Sequence, residues 1–136
     1  MSVFLENKPG TLRRMTDALK SHNINIRAIT LSETKDFGIA RMIVDNTYSA
    51  TTILKDDGFV SALNPVVVVK VTDKPGSLGN VLNVLSDNKI NIEYMYASLN
   101  SEDMQDVSFV FRVSDVNAAE AALRTAKFEV VSEEEM

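Results

Sequence analysis

The sequence predicts an α+β protein that consists of two tandem βαββαβ modules, residues 1–64 and 65–136. Three observations support this prediction. One segment of the chain is repeated, hydrophobic spacing alternates between strand and helix patterns in the same order in both copies, and Pro-Gly turns stand at equivalent places. The chain has 136 residues, of which 45% are hydrophobic, so it is long enough for two small globular domains.

The repeat is visible in the segment 7–12, Asn-Lys-Pro-Gly-Thr-Leu, which reappears at 73–78 as Asp-Lys-Pro-Gly-Ser-Leu. Between residues 6 and 32, 9 of 27 positions are identical to those 66 residues later, where chance gives roughly one or two. Later in the chain the offset becomes 69, because the hairpin of the second copy is longer. We therefore interpret the chain as a duplication.

The first half of each copy has the pattern strand, turn, helix. Residues 2–5 and 66–71 are short apolar runs typical of strands, and each run ends near a Pro-Gly turn. Thr11 and Ser77 stand where a side chain often caps a helix. Apolar residues then follow at helical spacing, namely Leu12, Met15, Ala18 and Leu19 in the first copy and Leu78, Val81, Leu82 and Leu85 in the second.

The second half of each copy has the pattern strand, polar turn, strand, helix, strand. We predict strands at residues 24–31, 37–44 and 59–63, and at 90–99, 107–113 and 128–131. This order is that of ferredoxin-like domains, in which two helices cover one face of a four-stranded antiparallel sheet. Residues 66–69 are apolar at both odd and even positions, so apolar side chains lie on both faces of this strand. We therefore expect the second face to be partly covered as well, by another copy of the protein in a homodimer.

Charge and residue types disfavour several classes of function. The net charge is −5 and the basic residues are scattered, which disfavours nucleic acids and anionic membranes as partners. There is no cysteine, and the sequence shows no nucleophile–base pair, phosphate loop or metal-binding cluster. We expect no enzymatic activity, no catalytic residue, no metal and no cofactor. No apolar run reaches the roughly 18 residues of a spanning helix, and no basic segment opens the chain, so we expect a cytoplasmic protein without a signal peptide.

The two Pro-Gly loops have the chemistry of a site for a small ligand. Proline ends the strand, glycine lets the backbone approach a ligand closely, and the free N–H groups at the helix start suit a carboxylate. Oxygen atoms of Asn7 and Asp73 can accept hydrogen bonds from an ammonium group, so an amino acid matches the loop. The alternative is a plain strand-to-helix turn with solvated Lys8 and Lys74.

Both halves of the chain resemble the ACT domain family. The resemblance rests on a strand, the loop at 7–12 or 73–78, a helix, and Ile-Asn-Ile at 24–26 and 90–92. It implies regulatory modules that bind amino acids, here without an attached catalytic domain. It also implies that paired modules lie side by side in one eight-stranded sheet with the helices on one face.

The resemblance further implies where a ligand binds. In a serine-binding member of the family two asparagines hold the ligand. The matching positions here are Asn7 and Asn25, whereas the second copy matches at Asn91 and departs from the pattern at Asp73. In the family the loop of one module meets the second strand of its neighbour. Asn7 and Lys8 would then act with Asn91 and Ile92, and Asp73 with Asn25.

The candidate ligand-binding residues are therefore the two loops and the two strand starts: Asn7, Lys8, Pro9, Gly10, Thr11, Leu12, Asn25 and Ile26, and Asp73, Lys74, Pro75, Gly76, Ser77, Leu78, Asn91 and Ile92. For the strand-start asparagines the alternative is the capping of backbone groups. Tyr94 and Tyr96 share one face of a strand, where they either line a pocket or pack in a core or interface.

Two functions agree with this pattern. The first is a regulatory protein that binds a small molecule, an amino acid, at the loop–strand junctions. The alternative is an adaptor without a ligand, which binds and regulates a separate enzyme of amino-acid metabolism. A polar cleft at the Pro-Gly loops would favour the first function, and an exposed apolar patch would favour the second.

Overall fold

The strands of the chain form two four-stranded antiparallel sheets, one in each of two units. A computed structural model describes residues 1–33, 35–99 and 104–136, and the two units are Met1–Asn64 and Pro65–Met136. The longer hairpin expected in the second copy includes residues 100–103, which lie outside the described residues, as does residue 34.

Both units have the predicted order of elements. Unit 1 contains β1 (Ser2–Glu6), α1 (Thr11–Ser21), β2 (Ile26–Glu33), β3 (Phe37–Val44), α2 (Thr47–Asp56) and β4 (Val60–Ala62). Unit 2 contains β5 (Val67–Thr72), α3 (Ser77–Asp87), β6 (Ile92–Leu99), β7 (Asp106–Val113), α4 (Val116–Thr125) and β8 (Glu129–Val131), followed by a short 3-10 helix, Glu133–Glu135. The prediction of two βαββαβ modules with four-stranded antiparallel sheets is confirmed.

The strand order decides which residues share an end of each sheet. It is β2-β3-β1-β4 in unit 1 and β6-β7-β5-β8 in unit 2. In unit 1, β1 pairs with β3 so that Glu6 lies opposite Phe37, and β2 pairs with β3 so that Ile26 lies opposite Val44. Both pairings are antiparallel, so β1 and β2 run in the same direction. The loop after β1 and the start of β2 therefore lie at opposite ends of the sheet.

Both helices of a unit pack on one face of its sheet, and equivalent positions form the two cores. The fully buried side chains Met15, Leu19, Met42 and Leu54 of unit 1 correspond to Val81, Leu85, Phe111 and Leu123 of unit 2. On the opposite face Ile43 and Val110 are also buried, at 1% and 0% exposure. The joining of the sheets into one eight-stranded sheet and the homodimer stay predictions.

The predicted capping role of Thr11 and Ser77 is wrong. Gly10 and Gly76 occupy the N-cap positions of α1 and α3, each with φ of 89°, and no side chain caps either helix. Thr11 and Ser77 are instead the first helical residues, and each is buried. The left-handed backbone, which glycine adopts easily because it has no Cβ, turns the chain sharply at this point. The side chain that follows is therefore buried and does not cap the helix.

Gly79 lies inside α3, where glycine is unfavourable. A Cβ at this position would meet no atom within 4 Å, so alanine fits without a clash. Because alanine loses less backbone entropy on folding, we expect Gly79→Ala to raise the free energy of unfolding by about 0.5–1 kcal/mol. Urea denaturation should show a higher midpoint with an unchanged m-value. A lower midpoint would contradict the open environment described for this position.

Candidate functional site

The loop between β1 and α1 carries the first group of candidate residues. The backbone N–H of Asn7 donates to the carbonyl of Asp36 at 3.0 Å, and its side-chain Nδ2 lies 3.5 Å from the carbonyl of Lys35. Gly10 then adopts φ of 89° and ψ of −11°, and α1 begins at Thr11. The N–H of Thr11 donates to the carbonyl of Lys8 at 3.4 Å. The next N–H groups of the first turn have no partner inside the helix, so this end of α1 can accept an anionic group.

The loop between β5 and α3 has the same backbone geometry. The N–H of Asp73 donates to the carbonyl of Gln105 at 2.6 Å, and Ser77 donates to the carbonyl of Lys74 at 3.2 Å. Gly76 adopts φ of 89° and ψ of −12°. Differences between the two loops therefore come from their side chains and surroundings, and not from the backbone.

A cleft of about 550 Å³ opens beside the loop of unit 1. This volume is in the range of small-molecule sites. The candidate residues Lys8, Pro9, Gly10 and Thr11 line one side of it. The other side is lined by residues 58–60, which are the end of the turn after α2 and the first residue of β4 and are called the turn at residues 58–60 below. The backbone therefore brings together two segments that are almost 50 residues apart in the sequence.

Arg14 borders this cleft and is held by two contacts. Its Nη1 donates to the carbonyl of Asp57 at 3.1 Å, and its guanidinium carbon lies 4.1 Å from the centre of the Phe59 ring. Phe59 is itself buried in the core of unit 1, so it provides a fixed base for the cation. The guanidinium has five N–H donors in a flat fork that matches a carboxylate. One hydrogen bond leaves most of that fork available.

Lys8 and Glu6 supply one further cation and one carboxylate. Lys8 Nζ lies 2.9 Å from Glu6 Oε2. The hydrogen bond from Lys8, together with its charge, lowers the pKa of Glu6 below the ordinary value. Glu6 is therefore ionised at neutral pH and can accept a hydrogen bond from an ammonium group. With Arg14 the cleft carries two cations and one carboxylate, so its local charge is positive in a protein whose net charge is −5.

Thr11 contributes an unsatisfied hydroxyl group. Its Oγ1 is buried and has no hydrogen-bond partner among the described residues. Such a group costs about 1–3 kcal/mol, so a new partner would be favourable. The oxygen is shielded from solvent, so the side chain would have to rotate about χ1 before the hydroxyl could bind a ligand in the cleft. Threonine in a helix populates two χ1 rotamers, so this rotation is accessible.

The equivalent cleft of unit 2 is smaller, about 310 Å³, and more strongly charged. The candidate residues Lys74 and Ser77 line it, and Asn80 stands where unit 1 has Arg14. Lys70 Nζ lies 3.8 Å from Asp106 Oδ2 across this cleft. Part of each predicted loop therefore borders a cleft, whereas Asn7 in unit 1 and Asp73 in unit 2 do not line it, and the two clefts have different chemistry.

Asn25 and Asn91 are not brought near the loops of their own units. The N–H of Asn25 donates to Asp45 Oδ1 at 3.1 Å, and the N–H of Asn91 donates to Ser114 Oγ at 3.1 Å. Each asparagine directly precedes its strand. The eight-residue strand that follows separates it from the loop end of the sheet by roughly 23 Å. A site that uses Asn25 or Asn91 together with a loop must therefore take the loop from another module.

Four other candidate residues contribute to the cores. Leu12 and Ile26 pack against the core of unit 1, and Leu78 and Ile92 pack against the core of unit 2. Each is partly buried, so part of its apolar surface already lies within its own unit. These side chains position the loops and the strand starts.

Tyr94 and Tyr96 lie on the face of β6 that points away from the helices. Their rings are stacked with centres 6.4 Å apart and planes inclined by 17°. Tyr96 is buried at 8% exposure. Neither side chain borders the cleft of unit 1 or that of unit 2.

Arg14 and the turn at residues 58–60 line the cleft but are not among the residues predicted from the sequence. The loop motif ends at Leu12, and nothing local connects it to a turn so far along the chain. One signal was available. Arg14 is a cation on the second turn of a helix whose start was already a candidate anion site.

The described residues contain neither a cluster of metal-binding side chains nor a membrane-spanning helix. In residues 1–33, 35–99 and 104–136, no group of three or more His, Cys, Asp or Glu side chains is arranged to hold a metal ion. No helix in this part of the chain has the length and apolar character needed to cross a membrane.

Comparisons with known proteins agree with this architecture. A family model described as an ACT domain pair matches residues 1–136. The crystal structure of protein BT0572 from Bacteroides thetaiotaomicron has 35% sequence identity and a TM-score of 0.91, and the match covers 98% of this chain and 90% of that one. No match was found among curated proteins.

More distant structures share the fold. The ligand-free regulatory subunit of aspartate kinase from Thermus thermophilus has 18% identity and a TM-score of 0.66, with 93% of this chain and 89% of that chain covered. A structure of aspartokinase alpha and beta subunits has 18% identity and a TM-score of 0.60, with coverage of 93% and 90%. The family model spans both units, and its description matches the observed pair of βαββαβ modules. The chain therefore belongs to the ACT domain pair family.

Proposed function

We propose that this chain is a regulatory protein that binds an amino acid, and that the loop between β1 and α1 of unit 1 is part of the binding site. The cleft beside this loop is the observation that carries the proposal. It combines an uncapped helix start, the guanidinium of Arg14 and the carboxylate of Glu6. An amino acid presents a carboxylate and an ammonium group, which are complementary to these groups.

Family membership and fold support the regulatory part of the proposal. A regulatory subunit of aspartate kinase shares the fold of this chain. A ligand in the cleft would link the loop, α1 and the turn at residues 58–60, and it would stabilise the state in which these segments are in place. Because a ligand shifts an equilibrium only by its differential affinity, this linkage is the means by which binding would reach a partner enzyme. We also propose that the chain regulates such a partner enzyme, forms a homodimer and is located in the cytoplasm.

A thermal-shift screen of the purified chain against the 20 common amino acids tests the proposal. At about 100 times its dissociation constant, a ligand stabilises the folded protein by about 2.7 kcal/mol, which gives a clear shift for units of this size. Calorimetry on each hit then gives the dissociation constant. If no amino acid shifts the transition or gives heat, the proposal fails.

The strand-start asparagines are proposed as a second part of the site, supplied by a neighbouring module. Asn91 and Ile92 would act with Asn7 and Lys8, and Asn25 with the loop of unit 2. We expect Asn25→Ala and Asn91→Ala each to weaken ligand binding by about 1–3 kcal/mol if their amides hold the ligand. Their backbone N–H bonds remain in both variants, so the folds should be unaffected. Unchanged affinity in both variants would rule out this part of the site.

An adaptor without a ligand is the second candidate, and exposed apolar side chains favour it. Phe4, Phe37, Val60 and Leu63 of unit 1 are each between 45% and 66% exposed. Such a group can contact a partner protein. This candidate would be supported if no amino acid shifts the thermal transition and one specific enzyme is recovered in a pull-down.

A further inference from the structure

The two clefts occupy equivalent places, so their differences can be compared residue by residue. The cleft of unit 1 is bordered by Phe4, Phe37 and Val60. With the offsets of the repeat, the cleft of unit 2 has Lys70, Asp106 and Glu129 at these positions. Phe4, Phe37 and Val60 are called the apolar wall below. Each of these three apolar side chains in unit 1 is thus replaced by a charged one in unit 2.

The apolar wall of unit 1 is open to solvent. Phe4 is 45% exposed, Phe37 is 60% exposed and Val60 is 66% exposed. Phe4 lies opposite Val60 in the pairing of β1 with β4, so their side chains share one face of the sheet. Apolar surface gathered at the rim of a polar cleft favours a ligand that carries an apolar group, because contact removes both surfaces from water.

The carboxylate-binding groups also differ between the units. Arg14 is held by the carbonyl of Asp57 and by the Phe59 ring, whereas Asn80 in unit 2 has no charge. The turn residue Gly58 leaves open space beside Arg14, since a Cβ there would meet nothing within 4 Å. Its equivalent in unit 2 is Lys127, whose side chain takes up room in the smaller cleft.

Thr11 is an independent observation in favour of a polar ligand at the cleft of unit 1. Thr11 is 8% exposed, lines the cleft, and its hydroxyl oxygen has no hydrogen-bond partner among the described residues. It stands beside the uncapped first turn of α1. A carboxylate at this place would accept hydrogen bonds from the first-turn N–H groups, from the guanidinium and from the rotated hydroxyl.

We propose that the cleft of unit 1 binds one α-amino acid with an apolar side chain per chain, that Arg14 binds its carboxylate, and that the cleft of unit 2 does not take this ligand. This inference rests on the function proposed above and specifies its ligand class and stoichiometry. In the bound state the ligand side chain covers Phe4 and Phe37, and its ammonium group lies toward Glu6.

Calorimetry with the full chain tests the ligand class. L-phenylalanine and L-leucine should bind with a stoichiometry of one per chain and more tightly than L-serine or L-lysine. Two analogues of phenylalanine distinguish the contribution of the carboxylate from that of the ammonium group. 3-Phenylpropionate, which keeps the carboxylate, should retain measurable binding, whereas phenethylamine, which lacks it, should not. Two equivalent ligands per chain, or tighter binding of a polar amino acid, would overturn the inference.

Variants test the role of Arg14. Arg14→Gln should raise the dissociation constant for L-phenylalanine by about tenfold or more, and Arg14→Lys, which keeps the charge but not the fork, should have an intermediate effect. Asn80→Gln is the matched control at the equivalent position of unit 2 and should leave the affinity unchanged. Circular dichroism and urea denaturation establish that each variant is folded.

The outcomes separate this inference from the proposed function. If only polar or charged amino acids bind, the proposed function stands and the inference fails. If L-phenylalanine binds equally well to Arg14→Gln, the assignment of the carboxylate site fails. If no amino acid binds the unaltered chain, both fail together.

Discussion

Replacing Phe111 with alanine is expected to lower the free energy of unfolding of unit 2 by about 3–5 kcal/mol. Phe111 is 0% exposed and is the largest fully buried side chain of the described residues. It lies on β7 between Val67 of β5 and Met95 of β6, and its ring centre is 6.3 Å from that of Phe109. Removal of the ring leaves a cavity that the surrounding strands and helices close only in part.

The equivalent residue of unit 1 provides a matched comparison. Met42 is also 0% exposed and lies at the same place on β3, so we expect Met42→Ala to cost about 2–5 kcal/mol. Amide hydrogen exchange locates each loss. Phe111→Ala should reduce protection within residues 65–136, and Met42→Ala within residues 1–64, because each unit has its own core. A loss below about 1 kcal/mol in either variant would contradict the described burial.

The order of the elements was predictable because it depends on local patterns. Strand and helix periodicities, Pro-Gly turns and the repeat all act over a few neighbouring residues. The main shift concerns Ile24 and Ile90, which we predicted to begin strands. Each donates its N–H to the carbonyl of a residue five positions earlier, Leu19 or Leu85. The apolar side chains of Ile24 and Ile90 therefore belong to the helix ends and not to the strands.

This shift at the helix ends has a physical cause. Asn23 and Lys89 adopt left-handed backbone conformations, with φ of 57° and 58°. A left-handed residue followed by a bond to the carbonyl five residues back is the Schellman type of helix end, and it places an apolar residue against the last turn. An apolar residue just after a helix therefore resembles the start of a strand in sequence, and only the backbone angles distinguish the two.

The candidate site was predictable only where it is local. Lys8, Gly10 and Thr11 belong to one motif, and the structure places all three at a cleft. Arg14 was identified as a site residue only from its contacts with Asp57 and Phe59. These contacts depend on tertiary packing. Asn25, just before β2, was predicted as a site residue only from the family resemblance. Its position at the far end of the sheet of unit 1 follows from the direction of the strands.

Gly10→Val is expected to remove ligand binding in unit 1 and to lower its stability by about 1–3 kcal/mol. Gly10 has φ of 89°, a conformation that is unfavourable for a β-branched residue. A Cβ at this position meets no atom within 4 Å, so the loss of stability comes from the backbone and not from a clash. The valine side chain would project from the loop that borders the cleft, where it hinders the approach of a carboxylate to the helix start.

Gly76→Val separates strain from ligand exclusion. Gly76 has the same φ of 89° and a ψ within one degree of that of Gly10, and its surroundings are equally open. The two variants should therefore lose similar stability in urea denaturation, each in its own unit. With calorimetry on L-phenylalanine, Gly76→Val should bind normally and Gly10→Val should not. A folded Gly10→Val variant with normal affinity would show that the first loop is not the site. Equal losses of affinity would instead place the ligand at both loops.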